Sequence, residues 1–144
     1  MTDGLHETVF ARLRAAGQRY TSNRRSLVEV LESADRPLTI AETLERRPLP
    51  QSSAYRNLAI LEQANVVHRV TGTDEFARYE LAEELTDHHH HHLICTSCGA
   101  VSDFTVPSSL ERTLEATMGQ IASHTGFRPE RHRLDFIGTC HDCG

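Results

Sequence analysis

Two groups of side chains that bind transition metals stand out in the second half of the chain. Four cysteines form two Cys-x-x-Cys pairs, and five consecutive histidines lie shortly before the first pair. Each Cys-x-x-Cys turn supplies two thiolates at the spacing of a tetrahedral zinc site. In a reducing compartment such pairs are more often metal ligands than disulfides. We therefore expect one structural zinc site that contains Cys95, Cys98, Cys140 and Cys143.

The predicted four-cysteine site would join distant parts of the chain. The 41 residues between Cys98 and Cys140 exceed the loop of an ordinary zinc ribbon, so the site would hold the C-terminus against an earlier strand. Four thiolates leave no coordination position open, which favours a structural role over a catalytic one. Redox-active cysteines are the alternative interpretation.

The five histidines occupy residues 88–92, inside the chain, whereas an affinity tag normally lies at a terminus. If residues 88–95 form an extended strand, successive side chains point to opposite faces. One run can then contribute ligands to two different metal sites. The first face would carry His88, His90 and His92, and the second would carry His89 and His91.

Further ligands must come from other segments. On the first face, the nearest candidates are His68 and Glu80, on two neighbouring predicted strands. On the second face, the candidates are His132 and Glu115, with Glu111 one helical turn earlier as the alternative to Glu115. Each of these residues alone is more often an ordinary surface residue. Their convergence on the histidine run makes them candidates.

The first half of the chain has the element order of a winged helix-turn-helix. Helical periodicity predicts helices at 5–16, from Thr21 or Ser22 through Leu31, at about 39–46, and from a cap at Ser52 or Ser53. Residues 66–70 and 76–81 read as two strands separated by a turn, which would form the wing. The second half predicts strands at about 90–95, 100–106 and 132–138 and a helix at 108–123. The fold class is therefore α+β.

The distribution of charge favours a DNA-facing first half. The net charge is −5 and there is no lysine. Residues 1–70 contain ten arginines against eight carboxylates, whereas residues 71–144 contain five against twelve. Such asymmetry between halves suggests one half that faces nucleic acid and an acidic half that attracts cations.

The fourth predicted helix has the side chains of a DNA-recognition helix. Its first turns would present Ser52 and Ser53 to phosphates, Tyr55 to thymine methyl groups, and Arg56 to guanine or phosphate. Arg19, in the turn before the second helix, could enter a minor groove. The expected partner is double-stranded DNA.

Composition also bounds the remaining possibilities. No apolar run approaches the ~20 residues of a transmembrane helix, and no signal-peptide pattern opens the chain, so we expect a cytoplasmic protein without a membrane partner. A zinc-dependent hydrolase would be the competing enzyme class, but the chain lacks an HExxH motif. A zinc-storage protein would explain the histidines but not the helix that begins SSAYRNL. We therefore expect neither catalytic residues nor a small-molecule substrate.

From about residue 8 to 143 the sequence resembles the ferric uptake regulator family of metal-dependent repressors. The motifs that carry the resemblance are AGQRYTSNRRSLVEVL, SSAYRNLAIL, FARYEL, HHHHHLICTSCG, TGFRPERHRLDFIGTC and the final CHDC. The resemblance implies a homodimer that binds a pseudo-palindromic operator and represses metal-uptake genes. It also implies a winged-helix DNA-binding domain at 1–82, a hinge at 83–88 and a small α/β metal-binding dimerisation domain at 89–144.

The resemblance further implies two metal sites besides the four-cysteine zinc site. The regulatory site matches Glu80, His90 and His92, with His68 at a position that zinc-sensing relatives fill with histidine or aspartate. The second site matches His89, His91, Glu115 and His132. Asp103 matches a carboxylate that iron- and peroxide-sensing relatives use in the regulatory site.

Differences between this chain and the family pattern help to identify the metal of the regulatory site. Iron and peroxide sensors carry a histidine where this chain has Leu38, and zinc sensors often carry a cysteine where it has Ala82. Fewer ligands favour a four-coordinate site over one of five or six. The ligand pattern is therefore closest to the zinc-uptake-regulator branch, with Fe²⁺, Mn²⁺ or Ni²⁺ as alternatives to Zn²⁺ at the regulatory site.

Overall fold

The structure, a computed structural model, describes residues 2–86 and 89–144. Its first half is a helical layer followed by a three-stranded antiparallel sheet in the order β1-β3-β2. The β2–β3 hairpin is the wing of a winged helix-turn-helix. The elements are α1 (Thr2–Ala15), α2 (Ser22–Ser33), β1 (Leu38–Thr39), α3 (Ile40–Arg46), α4 (Gln51–Gln63), β2 (Val67–Thr71) and β3 (Ala77–Leu81).

Local capping explains where two of the helices begin. Thr21 caps α2, because its hydroxyl accepts a hydrogen bond from the Arg24 backbone N–H at 3.3 Å. Thr39 and Glu42 form a reciprocal capping box at the start of α3. The prediction that Ser52 or Ser53 caps α4 was wrong, because α4 begins at Gln51, immediately after Pro50.

The helices pack around a single apolar core. The periodicity that predicted them places leucines of α1, α2 and α4 inside, with Leu13, Leu27 and Leu58 each 0% exposed. Leu38 of the short β1 strand is equally buried and pairs with Tyr79 of β3. Because α4 uses this face for the core, its opposite face remains free for contact with a ligand.

The second half contains a second three-stranded sheet, in the order β5-β4-β6. β4 lies in the centre, antiparallel to β5 and parallel to β6. The long helix ends at Gly126, whose φ of 75° is the left-handed conformation that commonly ends a helix. The elements are a 3-10 helix (Glu83–Leu85), β4 (His91–Cys95), β5 (Val101–Phe104), α5 (Ser108–Thr125) and β6 (Asp135–Gly138).

The wing contacts the second sheet directly. Val70 of β2 is buried together with Ile94 and Val101 of β4 and β5. At the wing tip, the hydroxyl of Thr73 donates a hydrogen bond of 2.7 Å to the carbonyl of Cys95. These contacts bring the end of β3 next to the start of β4.

Two predictions concern residues beyond this description. The predicted hinge at 83–88 contains the 3-10 helix, but its residues 87 and 88 lie outside the described residues. The predicted orientation of the His88 side chain therefore also lies outside the described residues. In the described part of the chain, no helix is long and apolar enough to cross a bilayer.

Candidate metal centres and DNA-binding surface

The first candidate metal centre lies between the wing and the second sheet, and we name it the interdomain cluster. It consists of Glu80, His90, His92 and Asp103, whose donor atoms lie within 4.8 Å of one another. The two carboxylate oxygens of Glu80 lie 3.0 Å from His90 Nε2 and 2.8 Å from His92 Nε2. Asp103 oxygens lie 3.6 and 3.5 Å from the same two nitrogens.

Strand register explains how these side chains meet. His92 of β4 is paired with Asp103 of β5, so their side chains emerge on the same face of the sheet. His90 lies two residues before His92 and therefore points to that face as well. Glu80, near the end of β3, comes from the wing. The cluster thus draws its donors from both halves of the chain.

The electrostatics of the interdomain cluster favour positive charge beside its two carboxylates, which a bound cation or a protonated imidazole can supply. Burial acts to raise the pKa of Glu80, but hydrogen bonds with His90 and His92 outweigh it and lower the pKa to about 2. The hydrogen bond with Glu80 raises the pKa of His90. Burial, together with the charge of Glu80, raises the pKa of Asp103 to about 6.

A buried oxygen of Asp103 also favours a bound cation at the interdomain cluster. Asp103 Oδ1 is buried and has no hydrogen-bond partner among residues 2–86 and 89–144. A buried carboxylate oxygen without a partner is unfavourable and rare, unless an ion completes its environment. A divalent cation between two carboxylates and two imidazole nitrogens would supply that partner, so the residues fit a metal.

His68 does not join this cluster, contrary to the expected ligand set. It lies directly opposite Glu80 in the wing hairpin. Its ring, however, lies beside the guanidinium of Arg131, with His68 Nε2 3.0 Å from Arg131 Nη1. Burial and the charge of Arg131 lower the pKa of His68. The fourth residue of the cluster is Asp103, the carboxylate that the resemblance also singled out.

The second candidate centre lies on the opposite face of the histidine segment, as alternation predicts. We name it the sheet–helix cluster: His89, His91, Glu111 and His132. Glu111 oxygens lie 2.5 Å from His91 Nε2 and 3.0 Å from His132 Nε2. His89 Nε2 lies 3.2 Å from His132 Nε2. Burial and the neighbouring imidazoles lower the pKa of His89, which favours the neutral form that binds metals.

The structure brings Glu111, rather than Glu115, to the sheet–helix cluster. α5 begins at Ser108, so Glu111 lies in its first turn, close to the sheet, whereas Glu115 is exposed. His132 precedes β6 instead of lying on it, because the strand begins only at Asp135. Glu83 of the 3-10 helix contacts His89 Nδ1, and this carboxylate, which the sequence analysis missed, orients the imidazole toward the cluster.

The four cysteines form the third cluster, also within 4.8 Å of one another. The register that pairs Cys95 with Gly138 places the end of β6 next to the first Cys-x-x-Cys turn. Backbone N–H groups of Cys98 and Cys140 donate to Cys95 Sγ and lower the pKa of Cys95 to about 6. This favours the thiolate form that zinc requires.

The predicted DNA-contacting residues lie on the accessible side of the helix-turn-helix. Ser52, Tyr55 and Arg56 are exposed on α4, and Arg19 is exposed before α2. Ser53 is half-buried, and its hydroxyl accepts a hydrogen bond of 3.1 Å from Asn57. The residues of α4 that face the core are Ala54, Asn57, Leu58 and Leu61.

A winged helix-turn-helix joined to a small sheet that carries clusters of metal ligands defines the class of metal-responsive DNA-binding regulators. Residues 15–137 match the sequence profile described as the ferric uptake regulator family. The chain belongs to this family of transcription repressors, as the resemblance in its motifs predicted.

Individual relatives agree with this assignment. The ferric uptake regulation protein of Shigella flexneri is 33% identical over 134 residues, covering 89% of this chain and 85% of that protein. The peroxide operon regulator of Bacillus subtilis (strain 168) is 30% identical over 137 residues, covering 91% and 88%. The solved structure of the Helicobacter pylori ferric uptake regulator matches with a TM-score of 0.74 at 23% identity, covering 99% of this chain and 93% of that one. The last match is a likeness of fold.

Proposed function

We propose that this chain is a dimeric repressor of metal-uptake genes whose DNA binding requires zinc at the interdomain cluster. Residues 1–82 would bind DNA, residues 83–88 would be the hinge, and residues 89–144 would form the metal-binding dimerisation domain. The observation that carries the proposal is the origin of the four donors. Glu80 comes from the wing, and His90, His92 and Asp103 come from the other half.

The mechanism is a linkage between metal binding and the placement of the two halves. A bound divalent cation supplies one centre to which donors from both halves can bond. Glu80 then holds the end of β3 against His90 and His92, which favours one position of the wing. Because α4 packs in the same core as the wing strands, its position relative to the second sheet is fixed at the same time.

Dimerisation converts that placement into DNA recognition. Phe136 and Ile137 of β6 are 54% and 65% exposed, and Ile121 of α5 is 48% exposed. Apolar side chains of this size are normally covered, and a second copy of the chain would cover them. Two recognition helices at a fixed separation match the half-sites of a pseudo-palindrome. We propose that Arg19, Ser52, Ser53, Tyr55 and Arg56 contact the DNA.

Zinc is the proposed signal because four protein donors suit its tetrahedral coordination. By resemblance, Leu38 stands where iron-sensing relatives carry a histidine, and its hydrocarbon side chain, buried in the core, offers no donor atom. Asp103, however, matches by resemblance a carboxylate that iron- and peroxide-sensing relatives use. Fe²⁺, Mn²⁺ and Ni²⁺, with added water ligands, are therefore the alternatives.

The other two clusters are proposed to bind zinc as well. The four-cysteine cluster would be a closed structural site, and the sheet–helix cluster would use Glu111 in place of the expected Glu115. The Helicobacter pylori ferric uptake regulator, a relative in fold, is described as having three functional metal-binding sites. Three groups of donors in the described part of this chain agree with that number.

Metal titration of DNA binding tests the proposed function. A duplex would first be selected from a randomised pool by the wild-type protein in the presence of zinc. Fluorescence anisotropy would then follow binding at buffered free concentrations of Zn²⁺, Fe²⁺, Mn²⁺ and Ni²⁺. We expect zinc to give tight binding at the lowest free concentration. Equal affinity with and without every metal would contradict the proposal, whereas a lower requirement for another ion would replace zinc as the signal.

A further inference from the structure

Arg24, in the first turns of α2, lies between the two segments that are proposed to read DNA. Its Nε donates a hydrogen bond of 2.9 Å to the Oδ1 of Asn57 in α4. Its Nη1 donates a 2.6 Å bond to the carbonyl of Arg19 and lies 3.3 Å from the Oε1 of Gln18. One planar guanidinium therefore joins α4 to the turn that carries Arg19.

The partner of Arg24 on α4 belongs to the inner face of that helix. Asn57 is only 8% exposed and follows directly on Tyr55 and Arg56. Its amide donates a hydrogen bond of 3.1 Å to the hydroxyl of Ser53, one turn earlier. The rotation of α4 about its own axis, which decides where Tyr55 and Arg56 point, is thus coupled to the position of the Arg24 side chain.

Arg25, the next residue, differs from Arg24 although both carry the same charge. Its side chain is 50% exposed, and its guanidinium lies 3.9 Å from Glu29. It is available to a phosphate, whereas Nε and Nη1 of Arg24 donate to protein acceptors. Arg24 and Arg25 therefore carry the same charge but make different contacts, so variants of the two residues can be compared directly.

We propose that Arg24 is a positioning residue for sequence-specific DNA recognition, acting through Asn57 and the carbonyl of Arg19 without contacting DNA itself. The inference rests on the proposed function, because it presumes that the surface formed by α4 and Arg19 reads DNA. Lysine cannot replace arginine here, since an ammonium group lacks the planar fork that serves two acceptors in fixed directions. The charge of Arg24 matters less than its shape.

The test compares Arg24→Lys with Arg25→Gln by anisotropy on the selected duplex and on an unrelated duplex of equal length, over a series of salt concentrations. Loss of bonds made by a charged donor predicts that Arg24→Lys weakens binding to the selected duplex by roughly tenfold or more. Arg24→Lys keeps the positive charge, and under this proposal the side chain at position 24 does not neutralise a phosphate. The salt dependence of DNA affinity should therefore be the same as in wild type. Arg25→Gln should weaken both duplexes alike and reduce the slope of log K against log salt by about 0.9.

Three results would overturn the inference: wild-type discrimination by Arg24→Lys, equal weakening of both duplexes, or a salt slope changed as in Arg25→Gln. Circular dichroism and metal content establish that each variant is folded. If Arg24→Lys fails to fold, Asn57→Ala breaks the same link from α4 and should lose affinity for the selected duplex only. If the wild-type protein binds no DNA with any metal, the proposed function itself fails, which is a different outcome from intact DNA binding by Arg24→Lys.

Discussion

Asp103 is costly to the protein without a cation and useful to it with one. Its carboxylate is half-buried and lies in the field of Glu80, and within the described part of the chain its Oδ1 has no hydrogen-bond partner. These conditions raise the pKa to about 6 from an ordinary value of 3.8. A raised carboxyl pKa contributes stability that is fully present below about pH 3.8 and is lost as the pH rises through about 6.

Asp103→Asn should therefore separate stability from metal binding. At pH 7.5 the metal-free variant should be more stable than metal-free wild type by roughly 1–3 kcal/mol, because it no longer buries a charge beside Glu80. The advantage should shrink at pH 5, where Asp103 of the wild type is mostly protonated. Denaturant unfolding at both pH values measures the first effect, and competition with a zinc chelator measures the expected loss of metal affinity.

Two outcomes of that comparison would count against this description of Asp103. One is a metal-free variant that is less stable than wild type at pH 7.5, since burial of the charge would then cost nothing. The other is unchanged zinc affinity, which would remove Asp103 from the interdomain cluster.

At the scale of elements, the start of α5 decides which glutamate meets the histidines. Glu111 lies in the first turn and reaches His91 and His132, whereas Glu115 is exposed one turn further along. Glu111→Gln should bind one metal ion fewer per chain than wild type, and Glu115→Gln should bind the wild-type number. Elemental analysis after dialysis against buffered zinc measures both. The reverse pattern would restore Glu115 as the ligand.

Much of this arrangement could be predicted from local sequence. Alternation along β4 follows from extended geometry alone, and it separated His90 and His92 from His89 and His91. Helical periodicity predicted α1, α2 and α4 because each buries one apolar face, and Gly126 marked the end of α5. The two-residue strand β1 was missed, since a run so short has no period to detect.

What local sequence could not supply were contacts between distant elements. His68 and Asp103 are both plausible ligands by type, and only the packing of Arg131 beside His68 separates them. The choice between Glu111 and Glu115 depends on where α5 lies against the sheet, which the helical period cannot give. The family resemblance had already pointed to Asp103, and its cross-strand pairing with His92 explains why it reaches the cluster.

At the scale of the whole molecule, three of the contacts between the two halves along the wing differ in how they would depend on a metal. Val70 packs with Ile94 and Val101, the Thr73 hydroxyl binds the Cys95 carbonyl, and Glu80 enters the interdomain cluster. The first two contacts need no metal in that cluster. Only the third brings carboxylates together at a site where a cation would stabilise them. A metal signal would therefore act most strongly through Glu80 and its partners.

The most direct test of this account is the zinc dependence of DNA binding in His90→Ala/His92→Ala. Both substitutions remove donors from the interdomain cluster and leave the four cysteines and the sheet–helix cluster intact. We expect the variant to remain a dimer with its structural zinc, as checked by sedimentation and elemental analysis, while saturating zinc no longer increases its affinity for the selected duplex. A variant that is still switched by zinc as wild type is would contradict the account.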